Sequence, residues 1–318
     1  MKDTEVARGL LRKAIKMDDN LLIAKNVLAN TYYFTGDYDK AMEIYEISLK
    51  QAEELSDKKG IAKSLNGIGA VYYSKSDYDK ALDYYERSLK IREGIGDKAG
   101  MAFSLNSIGI VHAKKGDYDK ALDYYTRSLQ IKGEIGYKRG MGHSLKSIGF
   151  VYWNKGDYDK ALDYFERSLK IDEELGNKFG MEYSLRSIGI VYAGIGDIDK
   201  ALDYFIRSLE IAEEISDKRG MAYSLENIGI VYYSSGDLET ALEYLEKSLG
   251  IQKEIELGGT LALSTTTYLY LTYKHLGKGY DEKEIHRLIK KTENIEFELN
   301  YHLYQLLEDT SYFETAHN

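Results

Sequence analysis

Six histidines are the side chains of this chain best suited to metal or acid–base chemistry, and their spacing favours neither. They are His112, His143, His275, His286, His302 and His317. None forms an H-E-x-x-H motif or a close metal-spaced pair, and the chain has no cysteine to supply a thiolate. We therefore predict that the protein is not an enzyme and that it holds no metal and no other cofactor.

Two weaker chemical signals have structural explanations. The recurrent segment D-Y-D-K resembles half of a calcium loop, but it lacks the glycine at position 6 and the glutamate at position 12 of such a loop. An aspartate such as Asp117 is well placed to cap the start of a helix. The glycines at Gly94, Gly96 and Gly100 have the wrong spacing for a phosphate or dinucleotide loop. We predict caps and turns at these segments.

Composition and charge narrow the class of protein further. The chain has 318 residues, of which 43% are apolar, and it contains no proline. Its charged N-terminus is not a signal peptide, and its longest uncharged stretch, 257–273, is too short to span a membrane. The net charge of −9 argues against nucleic acid. These features predict a soluble, cytoplasmic, mostly helical protein with no nucleic-acid or membrane partner.

The elements that carry these residues repeat with a period of 40. The segment 76–115 and the segment 116–155 are identical at 25 of 40 positions. The repeat units begin at Gly36, Ser76, Gly116, Gly156, Gly196 and Gly236. A fixed period in this range is typical of a solenoid, in which each unit buries its apolar face against its neighbours.

Each unit contains two helical patterns. Ala121, Tyr125 and Leu129 follow a G-D-Y-D-K turn at spacings that place them on one helical face. Leu105 and Gly109 occupy matching positions in the segment before that turn. We call the helix before the turn the first helix of its repeat and the helix after the turn the second.

The pattern L-x-x-I-G-x-x-Y followed by G-x-Y-x-x-A-x-x-x-Y-x-x-S-L resembles the tetratricopeptide repeat (TPR), lengthened here from 34 to 40 residues. Long repeats of this kind are similar to those of kinesin light chains, of Pins-type adaptors and of bacterial signalling proteins. The resemblance implies an all-α, right-handed superhelical solenoid of antiparallel helix pairs. It also implies that Gly149, with Ala161 and Phe165, lies where two helices cross.

The ends of the chain depart from the repeat. Ala7, Leu11 and Ala14 resemble the second helix of an incomplete repeat, which is either a natural cap or the sign of an excised fragment. Thr260–His275 and Asp281–Lys291 fit a seventh helix pair, and Asn294–Glu308 fits a charged capping helix. We predict about seven pairs, with a TPR array over 1–292 and a capping helix and tail over 293–318.

The copies differ most at first-helix positions predicted to face away from the core. If Gly109 is position 8, then positions 2, 5, 9, 12 and 13 lie opposite the core residues at positions 4, 7, 8 and 11. In TPR arrays this surface is the concave one, and we call it the first-helix face. The candidate binding residues on it are Asn66, Tyr73, Phe103, Asn106, Lys114, His143, Lys146, Phe150, Trp153, Tyr183, Arg186, Tyr223 and Tyr233.

The residue types on this face favour a peptide ligand. Exposed aromatic side chains usually mark a binding site, and Lys146 and Arg186 suit an acidic or carboxylate-bearing peptide. Asparagines such as Asn66 can hydrogen-bond a peptide backbone. The usual carboxylate clamp of chaperone-binding TPRs is absent from its usual positions. The function predicted is a non-catalytic scaffold for protein–protein interaction.

Three alternatives remain open from the residues. Aromatic side chains on the first-helix face could pack on adjacent first helices, and the basic ones could form an ordinary solvated face. The chain could be the sensory or regulatory region of a larger bacterial signalling protein whose output domain is absent here. Near-identical repeats could also stack end to end, which would give self-association.

Overall fold

The computed structural model describes residues 2–18, 21–292, 295, 297–308 and 311. The chain divides into two compact units, Met1–Gly156 and Asp157–Asn318. The described residues contain sixteen α-helices and no strand, which confirms the predicted all-α class. Of the predicted tail, 309–318, only residue 311 is described, and 293, 294 and 296 also lie outside the described residues. The boundary predicted at 292/293 stays a prediction.

In the first unit, a single second-type helix is followed by three helix pairs and then by one more first helix. The helices are α1 (Lys2–Met17), α2 (Leu22–Phe34), α3 (Tyr38–Glu54), α4 (Lys58–Ser74), α5 (Tyr78–Gly94), α6 (Lys98–Lys114), α7 (Tyr118–Glu134) and α8 (Lys138–Asn154). The even-numbered helices are first helices. Each helix packs on the next, and α2, α4, α6 and α8 also contact one another in order. The first helices of this unit therefore form one continuous surface.

The second unit repeats this order and ends in a different way. The helices are α9 (Tyr158–Glu174), α10 (Lys178–Ile195), α11 (Ile198–Glu214), α12 (Lys218–Ser235), α13 (Leu238–Glu254), α14 (Thr260–His275), α15 (Glu282–Ile289) and α16 (Phe297–Leu307). The capping helix, predicted to be charged, has an apolar side. Leu299, Leu303 and Leu306 of α16 are buried in one cluster with Leu263 and Ile285.

Aspartate side chains fix where the second helices begin. Asp37 accepts a hydrogen bond from the backbone N–H of Lys40 at 3.3 Å, and Asp77 accepts one from Lys80 at 3.2 Å. The same bond begins α9, α11 and α13. Each bond satisfies a backbone donor that a helix start would otherwise leave without a partner. The D-Y-D-K segment is therefore a helix cap, as predicted.

One repeat departs from this pattern. Asp117 occupies the N-cap position of α7, but its side chain makes no capping hydrogen bond. Its Oδ2 lies 3.1 Å from Nδ1 of His112, which replaces the tyrosine found at this position in other repeats. Asp117 therefore lies at the predicted N-cap position of α7, but the predicted capping hydrogen bond does not form. His112 is 7% exposed, which confirms that it is packed.

Glycine allows the two helices of a pair to approach closely. A Cβ atom on Gly109 would lie 2.7 Å from the ring of Tyr125, closer than real Cβ contacts come. Ala121, on the same helix as Tyr125, is fully buried. This confirms the small-and-large pairing predicted for the crossing, in the repeat before the one that contains Gly149.

Two buried serines in each of the first five repeats, and one in the sixth, tie second helices to first helices. Ser88 Oγ donates to the carbonyl of Ala62 at 2.8 Å and lies 3.2 Å from Ser104 Oγ. The serine on α5 therefore contacts a first helix on either side of it. We call this set the serine row: Ser48, Ser64, Ser88, Ser104, Ser128, Ser144, Ser168, Ser184, Ser208, Ser224 and Ser248, all fully buried. The hydroxyls satisfy one another, or nearby carbonyls, where water is excluded.

Candidate binding surface

Large apolar side chains are exposed on the first helices of both units. In the first unit, Ile23 and Phe34 of α2 are 68% and 81% exposed, Phe103 of α6 is 59% exposed and Phe150 of α8 is 53% exposed. In the second unit, Tyr183 of α10 is 41% exposed. The structure therefore places Phe103, Phe150 and Tyr183 in solvent, as the sequence pattern predicts. It adds Ile23 and Phe34, which were not among the candidate residues.

Position 5 does not face solvent, and that part of the prediction is wrong. Asn66, Lys146 and Glu226 occupy this position and are 5%, 9% and 5% exposed. Position 5 lies on the side of the first helix that the first helix of the next repeat covers. Asn66 Oδ1 accepts a hydrogen bond from Ser104 Oγ of the following first helix at 3.0 Å. Asn106 is half-buried, and its Oδ1 is buried without a hydrogen-bond partner among the described residues.

Arg186, also at position 5, belongs to an internal ion pair. Its Nε lies 3.0 Å from Oε1 of Glu182, and both side chains are largely buried. Its guanidinium also lies 5.2 Å from the ring of Tyr183 and 4.8 Å from the ring of Tyr223. A cation held between two aromatic rings and a carboxylate positions those rings. Arg186 is less available to an incoming anion than its sequence position suggests.

The remaining candidate residues divide between solvent and packing. Lys114 and His143 are exposed, whereas Trp153 and Tyr223 are half-buried. Tyr73 packs 5.8 Å from Tyr78, measured between ring centres. Tyr233 makes an edge contact with Tyr268 at 5.5 Å and stacks on His275 at 5.7 Å. Burial raises the pKa of both Tyr73 and Tyr233. The structure thus brings Tyr233 into the terminal core of the second unit.

Buried ionisable groups also lie beside the serine row. Burial lowers the pKa of Lys132 to about 8, and its Nζ donates to Ser144 Oγ at 2.7 Å. Burial raises the pKa of Glu226 to about 7, and its Oε1 accepts a hydrogen bond from Thr265 Oγ1 at 3.0 Å. Lys132 and Glu226 are interior polar groups that differ from repeat to repeat.

A cavity of about 440 Å³ opens in the first unit between α2, α4 and α6. It is lined by Ile23, Asn26, Val27, Asn30, Tyr33, Phe34, Tyr45, Lys63, Asn66, Gly67, Ala70, Tyr73, Tyr85, Arg92, Phe103, Ser107 and Ile110. Its volume is within the range of ligand pockets in proteins. Of the candidate residues, only Asn66, Tyr73 and Phe103 line it.

Sequence reasoning missed this cavity, although one of its lining residues departs from the repeat. Gly67 occupies the position held by Ser107 and Ser147 in the two following copies. A Cβ atom at Gly67 would collide with the ring of Tyr45, so the ring occupies space that a side chain would fill. Arg92 was missed because it belongs to a second helix, outside the set of positions that defines the first-helix face.

In the described part of the chain, no group of three or more histidine, aspartate or glutamate side chains is arranged to hold a metal ion. No helix there is both long enough and apolar enough to cross a membrane.

Solved structures with this arrangement of helices come from several kinds of protein. One is a signal transduction ATPase with numerous domains and a tetratricopeptide repeat sensor, from Pyrococcus horikoshii. It is 22% identical, with a TM-score of 0.70 over 90% of this chain and 43% of that chain. The apo form of RapI is 19% identical, with a TM-score of 0.59 over 85% of this chain and 99% of that chain. At these identities the likeness shows the fold alone.

A third similar structure is a putative kinesin light chain with nearly identical TPR-like repeats, from Podosopora anserina. It is 15% identical, with a TM-score of 0.52 over 61% of this chain and 95% of that chain. A search of curated proteins finds no match. The family model described as tetratricopeptide repeat matches residues 20–94, 61–134, 100–174, 140–214 and 180–254. These matches run without a gap over more than half of the chain, and the chain belongs to the tetratricopeptide repeat family.

Proposed function

We propose that the protein is a non-catalytic scaffold that binds a peptide segment of a partner protein on its first-helix face. The observation that carries this proposal is the exposure of large apolar side chains on first helices of both units, among them Phe103, Phe150 and Tyr183. Contiguous exposed apolar surface on a folded protein usually marks a site of interaction. Membership of a family of interaction scaffolds supports the same function.

The first-helix face also differs from the second helices in charge. The Asp and Glu side chains of the D-x-D-K and L-D-Y segments lie on second helices, where exposed pairs such as Arg87–Asp83 form. On first helices, Lys63, Lys114 and His143 are exposed. An acidic or carboxylate-bearing peptide is therefore the ligand that we propose, because opposite charge favours its approach to this face.

The test compares two double variants. Peptides are selected from a displayed random library on the full chain, and their affinity is measured by calorimetry. We expect Phe103→Ala with Phe150→Ala to weaken binding at least tenfold, roughly the loss of one strong contact residue. The matched control is Ile47→Ala with Ile206→Ala, which removes exposed apolar side chains from second helices. Equal affinity for both double variants, with normal helical circular dichroism, would show that the ligand binds elsewhere.

A second candidate is a sensory region within a larger signalling protein. It is supported by the sensor likeness described above, which extends over 90% of this chain. In that role the same face would bind the signal, and an additional domain would respond to it. The full gene tests this candidate, since an open reading frame that ends at Asn318 with no further domain would contradict it.

A further inference from the structure

Arg92 is a buried cation that forms no ion pair among the described residues, although Asp97 lies near it: burial lowers the pKa of Arg92 and Asp97 raises it. Arg92 lies in the last turn of α5, is 5% exposed and lines the cavity of the first unit. Its Nε is buried and has no hydrogen-bond partner among the described residues. Its guanidinium lies 5.9 Å from the ring of Phe103. The nearby carboxylate of Asp97 accepts instead from the backbone N–H of Gly100 at 3.1 Å, which caps α6.

The polar residues at the equivalent position of three other repeats each make a hydrogen bond inside the protein, although Oε1 of Gln252 has no partner among the described residues. Lys132 donates to Ser144, as described above. Asp172 accepts from the amide of Asn177 at 2.6 Å, and Gln252 donates to Thr265 at 2.7 Å. Arg92 lacks any such bond in the described part of the chain. A native protein rarely keeps a buried charge unpaired, since the lost hydration is not replaced. The unpaired Nε of Arg92 is therefore a candidate to bind an anion from outside the chain.

The cavity is built to receive an anion. None of its seventeen lining residues is acidic, although the chain contains 52 aspartates and glutamates. Lys63, which is exposed, adds a second positive charge to the lining. Asn66 also lines the cavity, and because its Oδ1 accepts from Ser104, its amide group has N–H donors to offer an anion. A guanidinium beside amide donors matches the acceptors of a carboxylate.

The surroundings favour a peptide over a small molecule. Ile23 and Phe34 are both exposed and are separated by eleven residues along α2, about 16 Å at 1.5 Å per residue. Phe103 adds exposed apolar surface on α6. A chain segment that continues past the cavity on both sides would cover all three side chains. A ligand confined to the cavity, or a chain that ends there, would leave part of this surface in water.

We propose that this cavity is the anchor point for an acidic side chain within a partner peptide, with Arg92 as its ion-pair partner and flanking apolar residues on Ile23, Phe34 and Phe103. The proposal rests on the proposed peptide-binding function. Beyond that function, it specifies where on the protein the peptide is anchored, names Arg92 on a second helix as the residue that binds it, and states that the bound peptide residue is acidic.

The test uses three pools of fluorescein-labelled peptides on the full chain, read by fluorescence anisotropy. Every peptide has five residues, acetylated, with Phe, Leu, Ser or Gly at the four outer positions. The first pool has a central Glu and an amidated C-terminus, and the second has a central Gln and the same ends. The third has a central Gln and a free C-terminal carboxylate. We expect the first pool to bind at least about tenfold more tightly than the second, because a buried charge pair is formed.

Arg92→Met removes the charge and retains an apolar stem of similar length. We expect this variant to lose the preference for Glu over Gln, and Arg87→Met, an exposed and ion-paired control on the same helix, to retain it. We also expect the free Arg92→Met protein to unfold at the same temperature as the wild type or a higher one. A Tm lowered by more than a few degrees would identify Arg92 as a structural group and overturn the proposal.

Two other outcomes also overturn it. If the third pool binds as tightly as the first, the cavity binds a C-terminal carboxylate and not the side chain of an internal acidic residue. If the wild type binds Glu and Gln pools equally, and Phe103→Ala with Phe150→Ala weakens both, peptide binding on the first-helix face stands and the anchor assignment fails. Failure of library-selected peptides to bind that face removes the proposed function itself.

Discussion

Glu226 shows how a single buried residue can make the stability of the fold depend on pH. Its burial raises its pKa from about 4.5 to about 7. Below pH 4.5 the carboxyl is neutral in both the folded and the unfolded protein. Between pH 4.5 and 7 the unfolded chain loses the proton and the folded chain keeps it, so the free energy of unfolding falls as pH rises. Above pH 7 the carboxyl is charged in both states, and the free energy of unfolding stays lower by the full cost of burying that charge.

We therefore predict that Glu226→Gln stabilises the second unit at neutral pH. The gain is a few kcal/mol at most, at about 1.4 kcal/mol for each pKa unit, and it disappears below pH 4.5. Urea unfolding between pH 4 and 8 measures it. The control is Glu243→Gln, which removes an exposed carboxylate that pairs with Lys247 on α13. A stability difference between wild type and Glu226→Gln that does not vary with pH would contradict this account.

Residues with a repeated role are those that the sequence predicts well. The capping aspartates and the crossing glycine recur every 40 residues, and the capping contact recurs with them except at Asp117. Arg186 and Arg92 each occur once at their positions, and their contacts depend on side chains from adjacent helices. Glu182, which pairs with Arg186, takes the place of an alanine or glycine in neighbouring copies. Such exceptions to the pattern carry no periodic signal, so their partners became visible only in three dimensions.

At the scale of elements, α7 offers a test of capping, because its N-cap residue Asp117 makes no capping hydrogen bond. We predict that His112→Tyr releases Asp117 to cap α7, because tyrosine occupies this position in the other copies where the capping bond forms. The expected result is a rise in Tm of a few degrees, measured by thermal circular dichroism. His143→Tyr is the control, since it makes the same substitution at an exposed position of the next first helix. A lowered Tm for His112→Tyr would show that the bond between His112 and Asp117 stabilises more than the cap.

Helix boundaries were the most predictable feature at this scale. Thr260–His275 coincides with α14, and Asp281 caps α15. How much of each first helix is buried was harder to predict, because residues at position 5 are buried only by the next repeat. An amphipathic pattern identifies the core side of a helix, but the extent of its covered surface depends on how closely the neighbouring helices approach.

At the scale of the whole molecule, α1 presents an apolar stripe that bears on the self-association left open as an alternative from the sequence. Val6, Leu10 and Met17 are exposed and lie on one side of this helix. We predict that the wild type shows a molar mass that rises with concentration in light scattering, and that Leu10→Glu removes this rise. Ile206→Glu, on an exposed site of α11, serves as the control. A wild type that stays monomeric over the concentration series would remove self-association from the functions of this chain.

The serine row has a consequence for how the gene can change. Because every copy carries the same two hydroxyls at the same spacing, unequal recombination that inserts or deletes one 40-residue unit would join halves that already fit. The length of the array could therefore change in single steps without new contacts at the junction. Arg92 and Glu226 each occur in one copy only, so deletion of that copy by recombination would remove them. Repeat number is free to drift in such a lineage, while the copies that carry distinctive interior groups must be inherited intact.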